Sequence, residues 1–205
     1  MEKNKKNDNN EENNSINNNN ININNINNIN IIREENKSTE DIIDIDKIIF
    51  YITSNLQSIM KNNKKMKKKP SKDVNEPFYS KSVPDLSLKK FIKRIIRYTE
   101  AENNTLLIAY LYIMKLIKKE NFVLSLNNVY RLLLGSVVLA KKTIEDLFYN
   151  NAYYCDIGAM PVNELNKIEL SLFVRIDYEV NIKKEELDNL YKDINNFCSS
   201  SSFYK

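Results

Sequence analysis

The sequence predicts an all-α protein, and three observations carry that expectation. Only two glycines, Gly135 and Gly158, and four prolines occur in 205 residues, whereas an all-β chain needs turn residues far more often. Apolar residues recur at i, i+3, i+4 and i+7 over several stretches, the spacing of one helix face. Two of those stretches are apolar nearly all round, as helices inside a bundle are.

Composition narrows function. There is no histidine, so a Ser-His-Asp or Cys-His catalytic pair lacks its base. With two cysteines besides, the usual zinc sites cannot be built. No metal or cofactor is therefore expected. Cys155 and Cys198 make no disulfide framework and read as free thiols of a reducing compartment. The formal charge of +4 is modest and does not by itself call for a nucleic-acid partner. No run reaches the roughly 18 apolar residues of a membrane span, and the opening Met1-Glu2-Lys3-Asn4 is no secretory signal. The expected setting is intracellular, in cytoplasm, nucleus or both, with no membrane partner. Asn103-Asn104-Thr105 is formally a glycosylation acceptor that such a setting leaves unused.

Residues 1–38 are asparagine-rich with isolated isoleucines. Too little apolar surface offsets the entropy of ordering them, so a disordered tail is expected; a sticky polar tract is the alternative. Residues 39–60 read as an N-terminal helix. Ile42, Ile43, Ile45, Ile49, Phe50, Ile52, Leu56 and Met60 fall near helical spacing, with Ser38 or Thr39 as cap and Glu40 and Asp41 at the positive end of the dipole. Residues 61–81 read as a basic linker. Its run Lys61–Lys69 ends at Pro70 and is either solvated, a nuclear import signal or a phosphate-contacting patch. No aromatic residue is interleaved with it, which weighs against single-stranded nucleic acid.

A compact domain with its own C-terminal helix is expected over residues 82–197. Ser87 caps a first helix carrying Leu88, Phe91, Ile92, Ile95 and Ile96, which ends near Ala101. Asn103 or Asn104 caps a second over about 105–119, apolar nearly all round from Leu106 to Ile117 and expected in the middle of the bundle. A third covers about 126–142, where small Gly135 and Ser136 would admit a close neighbour. A short fourth follows with Ile144, Leu147 and Phe148 inward. The fifth starts at Pro161, whose missing N–H is tolerated in a first turn, and carries Leu165, Ile168, Leu172 and Phe173. Ile176, Tyr178, Val180 and Ile182 then alternate with polar residues, which predicts an extended strap. A last helix over about 183–197 precedes a frayed tail, 198–205.

Six local strings resemble, in order, the P/U-type group of single-box cyclins, the phosphate-regulon cyclins. Ser82-Val83-Pro84-Asp85-Leu86-Ser87-Leu88 is similar to that group's Ser-Val-Pro-x-Ile-Ser-Ile, and Phe91-Ile92-Lys93-Arg94-Ile95 to its Tyr-Leu-x-Arg-Ile. Leu111-Tyr112-Ile113-Met114-Lys115-Leu116 resembles Leu-Ile-Tyr-Ile-Asp-Arg-Leu with two changes. Arg131-Leu132-Leu133 and Ser136 through Lys142 resemble the third helix. Tyr149-Asn150-Asn151-Ala152-Tyr153-Tyr154 resembles the Tyr-Asn-Asn segment, and Glu164-Leu165-Asn166-Lys167-Ile168-Glu169 resembles Glu-Leu-Asn-Arg-Leu-Glu. The match covers Ser82 to Ile182.

The resemblance implies a single cyclin box of five helices, flanked here by an added N-terminal and a C-terminal helix. It also implies a regulatory subunit that binds and activates a cyclin-dependent serine/threonine kinase and is not itself an enzyme. Such subunits pack their third, fourth and fifth helices against the kinase's regulatory helix, support its Lys–Glu ion pair and shift its population toward the active state. By resemblance Lys142 is the kinase-contacting lysine, and Glu145 or Asp146 takes the place of the acid that steadies it. Phe148, Tyr149, Asn150, Asn151 and Tyr153 complete the expected contact set, the aromatics as anchors or as core. There are departures. Met114 replaces an aspartate that pairs with the first-helix arginine, here Arg94, which must find another acceptor or solvent. Lys115 replaces an arginine, Met160-Pro161 replaces a small cap, and no second box is visible. Two other functions fit the residues: a non-kinase helical adaptor, and a nucleic-acid-binding bundle using Lys61–Lys69. No nucleophile–base pair, metal cluster or phosphate-cradling loop suggests an enzyme.

Overall fold

The computed structural model describes residues 43–70 and 76–201. The Asn-rich tail 1–38, the candidate caps Ser38 and Thr39, Glu40, Asp41 and the final residues 202–205 lie outside them. The described residues are all-helical, with seven helices and no strand: α1 (Ile45–Lys65), α2 (Leu88–Thr99), α3 (Asn103–Glu120), α4 (Val129–Ile144), α5 (Asn151–Ile157), α6 (Val162–Arg175) and α7 (Lys184–Ser200). Helices α2 to α6 are the five of the bundle, with α4 at its centre. Twelve of its sixteen residues are buried, against nine of eighteen in α3. The contacts of α4 are chiefly with α3 and α6, while α1 lies on α2, α3 and α7.

Local chemistry sets the boundaries. Asp44 caps α1 by accepting from the Asp46 N–H at 3.1 Å. The helix then runs to Lys65, taking in the first part of the basic run rather than stopping at Met60. Ser87 caps α2 through the Lys90 N–H, and Glu100 ends it in the left-handed region, φ 52°. Asn103 and Asn104 do not cap α3; they are its first residues. The Asn103 amide instead donates to the Ile43 carbonyl at 3.0 Å, tying the start of α3 to the start of α1. Asn128 folds the turn before α4, accepting from the Ser125 N–H and donating to the Val123 carbonyl.

Three further expectations change. The short fourth helix is α5, capped by Asn150 through the Tyr153 N–H at 3.1 Å, and residues 145–150 are a loop. Ile144, Leu147 and Phe148 therefore face outward. The chain turns extended at Glu145, φ −103° and ψ 139°, and that carboxylate is held inward by partners described below. The strap is not extended where period two suggested it. Asp177 and Tyr178 have φ of 57° and 61°, and the Tyr178 N–H returns to the Phe173 carbonyl, a left-handed helix end. Only the stretch after it crosses α3, where the Tyr112 hydroxyl donates to the Val180 carbonyl at 2.7 Å. At the C-terminus α7 continues through Ser200 with Cys198 buried, so the residues just past Phe197 do not fray.

The segment ahead of α2 is clamped to the bundle. Phe78 is fully buried, Arg131 Nε donates to the Pro77 carbonyl at 2.9 Å, and Ser80 and Asn127 exchange two hydrogen bonds. Arg175 lies over the rings of Phe78 and Phe122 at 5.1 and 5.3 Å and pairs with Glu76 and Glu120.

Helix α6 can lie on α4 because position 135 has no side chain. A Cβ there would overlap Ile168 Cγ2. Gly135→Ala should therefore destabilise the protein by about 1–3 kcal/mol in spite of alanine's better helix propensity. Ile168→Ala in the same chain should recover part of the loss as a coupling energy in a urea double-mutant cycle. A Gly135→Ala variant as stable as the wild type would show that the two helices are not held at this distance.

Candidate partner-binding site

Helix α4 ends in two adjacent lysines, roughly 100° apart around the axis, and they go to different places. The Lys141 side chain is 4% exposed and forms an ion pair with Glu145. Glu145 also accepts from the Thr105 hydroxyl and from the Glu102 N–H. One carboxylate thus closes the end of α4 onto the start of α3. Lys142 is 27% exposed, and its ammonium donates to both oxygens of Glu169 at 2.8 Å. The Asn151 amide donates to Glu169 Oε2 at 2.8 Å and to Asn166 Oδ1 at 2.6 Å. Lysine, glutamate and asparagine from α4, α6 and α5 form one surface cluster. The acid steadying Lys142 is therefore Glu169, and Glu145 is committed to Lys141. Asp146 is exposed in the loop.

Beside that cluster stands an uncovered apolar ridge. Leu147 is 85% exposed and Phe148 52%, with Ile144, Tyr149 and Tyr153 also open. The rings of Tyr149 and Tyr153 lie 4.3 Å apart, and both pack edge-on against Tyr154. Tyr154 is the buried base of the ridge. Its hydroxyl accepts from the Tyr149 N–H at 2.9 Å, and burial raises its phenol above the ordinary value. Tyr153 is fixed by donation to the Tyr98 carbonyl at 2.7 Å. Asn150 caps α5, so it orients the ridge. An exposed run of large apolar side chains next to a held charge is the chemistry of a protein-binding surface.

The expected contact residues Lys142, Phe148, Tyr149, Asn150, Asn151 and Tyr153 thus share one end of the bundle, with Glu145 turned inward beneath it. Ile144, Leu147 and Glu169 were not among them. Glu169 closes the sixth family-like string, but its partner lies 27 residues away in the chain. The departures are absorbed locally. Arg94 reaches the Asp156 carbonyl at 3.4 Å, Met114 is half-buried against the core, and Lys115 reaches the Glu179 carbonyl at 3.3 Å. Among the described residues no group of three or more Cys, Asp or Glu could hold a metal ion, and no helix is long and apolar enough to cross a membrane.

A family model described as Cyclin matches residues 4–180. Curated relatives include Cyclin-P3-1 of Oryza sativa subsp. japonica, 28% identical over 73% of this chain and 64% of that protein. The PHO85 cyclin-like protein psl1 of Schizosaccharomyces pombe is 34% identical over 54% of this chain and 46% of its own length. Cyclin-U4-3 of Arabidopsis thaliana is 32% identical over 62% and 57%. The chain thus spans about half to just under two thirds of the length of these relatives.

The two lysines should behave oppositely when disrupted. Glu145→Gln leaves Lys141 buried without its counter-charge and should cost about 3–5 kcal/mol. Lys142→Ala breaks a partly exposed pair and should cost about 1 kcal/mol or less. Urea unfolding of both variants checks the order, and the reverse order would mean that the outer pair is the structural one.

Proposed function

Since the chain belongs to the cyclin family and its relatives are P- and U-type members, we propose that it is the regulatory subunit that binds and activates a cyclin-dependent serine/threonine kinase. What carries this is Lys142: an ammonium held at the surface by Glu169, which Asn151 in turn positions, at the edge of a ridge that nothing in the described bundle covers. Two of its three donors are used on Glu169. The third is available to main-chain carbonyls of a kinase next to its regulatory helix. Leu147 and Phe148 are the apolar anchors, desolvated only when a partner arrives. Tyr149 and Tyr153, packed edge-on against buried Tyr154, give the contact a rigid base with little side-chain entropy left to lose.

The protein performs no chemistry. It binds the active conformation of the kinase more tightly than the inactive one, and the difference in affinity sets how far the population moves. That conformation keeps the kinase's Lys–Glu ion pair closed over the nucleotide phosphates.

A protein expressed in its own cells should co-purify with a serine/threonine kinase whose activity on a Ser-Pro substrate depends on it. Lys142→Glu and, separately, Leu147→Asp should each lower both association and activity by about a hundredfold, the loss expected for a central interface residue. The melting temperature of Leu147→Asp should stay near that of the wild type, and that of Lys142→Glu, which sets a carboxylate against Glu169, should fall by only a few degrees. Undiminished kinase activation by Lys142→Glu would remove the site from this role, and a wild-type chain that recruits no kinase would remove the function.

A further inference from the structure

The C-terminal end of α1 carries charge that nothing else in the bundle uses. Lys61, Lys64, Lys65, Lys67, Lys68 and Lys69 are all exposed. None of them forms an ion pair among the described residues. The helix dipole favours a lysine in the last turn, which accounts for Lys64 and Lys65. It does not account for Lys67, Lys68 and Lys69, which lie beyond the helix, nor for the mutual repulsion of Lys61, Lys64 and Lys65 at helical spacing.

The geometry separates a fixed part from a free one. The Asn63 amide donates to the Leu124 carbonyl at 3.0 Å, so α1 is pinned to the loop ahead of α4 one residue before Lys64. After the pin the helix unwinds. Lys67 has φ 55°, the Lys68 N–H returns to the Asn63 carbonyl at 2.9 Å, and Lys68 to Pro70 have no regular structure. A last turn of this kind opens at little cost, and the pin keeps the opening from spreading into the core. Leu124 lies near the start of α4, and Lys142 lies near its other end, about 20 Å along the axis at 1.5 Å per residue. A partner at the basic end leaves the apolar ridge accessible.

We propose that Lys64 to Lys69, Lys-Lys-Met-Lys-Lys-Lys before Pro70, is the docking segment for the acidic groove of a nuclear import receptor, which binds a lysine-rich chain in extended form. Charge density within six consecutive residues suits a groove that reads one short strand. A nucleic-acid partner is less well served. The run has no arginine for bidentate phosphate contacts and no aromatic to stack on bases, and its charge is confined to one segment instead of following a backbone path. This inference does not depend on the kinase-binding role.

The test uses the full chain fused to a fluorescent protein large enough to prevent passive passage through nuclear pores. The wild type should concentrate in the nucleus. Alanine at Lys64, Lys65, Lys67, Lys68 and Lys69 should lower the nuclear-to-cytoplasmic ratio and the affinity for purified import receptor by at least about tenfold. Arginine at the same five positions should retain both. Lys142→Glu should import normally, which separates this result from any result on the kinase. All five positions are exposed, so an unchanged melting temperature excludes misfolding. Equal distribution of the wild type and the alanine variant would overturn the proposal. So would binding of the wild type to duplex DNA with a steep salt dependence and none to the receptor.

Discussion

The contact between Gly135 and Ile168 is the constraint on which the rest of the molecule depends. Where two helices meet through ordinary side chains their axes lie about 8–10 Å apart. Here the side chain of one partner is missing, and Ile168 occupies the space it would have filled. Contacts along this seam advance together by one turn: Arg131 pairs with Glu164, and four residues further on in each helix Gly135 receives Ile168. The next residue, Glu169, then lies within reach of Lys142. The lysine tethered to a glutamate across these two helices thus lies two turns along α4 from the close contact at Gly135. A larger residue at position 135 would push α6 outward and loosen the Lys142 cluster without touching it.

The same end of α4 shows how a buried charge shapes an exposed surface. Lys141 is inside, and a buried ammonium needs a counter-charge and further hydrogen bonds. Glu145 supplies the charge through Oε2, and the Thr105 hydroxyl and the Glu102 N–H donate to its Oε1. With Glu145 held inward, the helix stops at Ile144 and the chain turns extended. Leu147 and Phe148, which one more turn of helix would have placed over the core, face outward instead. The apolar ridge therefore begins at an internal ion pair, and its exposure is set by the fold.

Much of the architecture was legible in the sequence because it is local. The 3.6-residue periodicity of Leu88 to Ile96 and of Leu165 to Leu172, the Ser87 cap and the small residue at 135 all appear in the structure where they were expected. What was not legible depends on partners far along the chain. Ile144, Leu147 and Phe148 fall at i, i+3 and i+4 and read as an inward helix face. Nothing nearby reveals that Glu145 is claimed by residues forty positions earlier. Asn103 and Asn104 are good caps in isolation, but Asn103 is used on Ile43 of another segment. The alternation from Ile176 to Ile182 looks like a strand, yet its first members belong to a helix terminus, where Asp177 and Tyr178 accept a left-handed backbone. At the site, Lys142 and the aromatic run were visible as types and positions. Helical spacing points to an acid on Lys142 three or four residues away, on the same helix face, whereas the bundle supplies it from α6.

A tethered lysine is better suited to recognition than a free one. A free lysine loses about 1.5–2 kcal/mol of side-chain entropy when ordered, and this opposes binding. In Lys142 that ordering is largely complete in the free protein, because both oxygens of Glu169 accept from its ammonium and Asn151 holds that carboxylate in place. A partly exposed pair of this kind adds modest stability, about 1 kcal/mol or less, so the arrangement is poorly explained as a device for holding the fold together. In the proposed role its benefit lies in the bound state. A cation that carries its own carboxylate into an interface can present a donor to a carbonyl without leaving an isolated charge desolvated, and it is desolvation that most strongly opposes burying a lone lysine. The surrounding ridge of Leu147, Phe148 and Tyr149 excludes water from that donor once it is covered, which strengthens the hydrogen bond it makes.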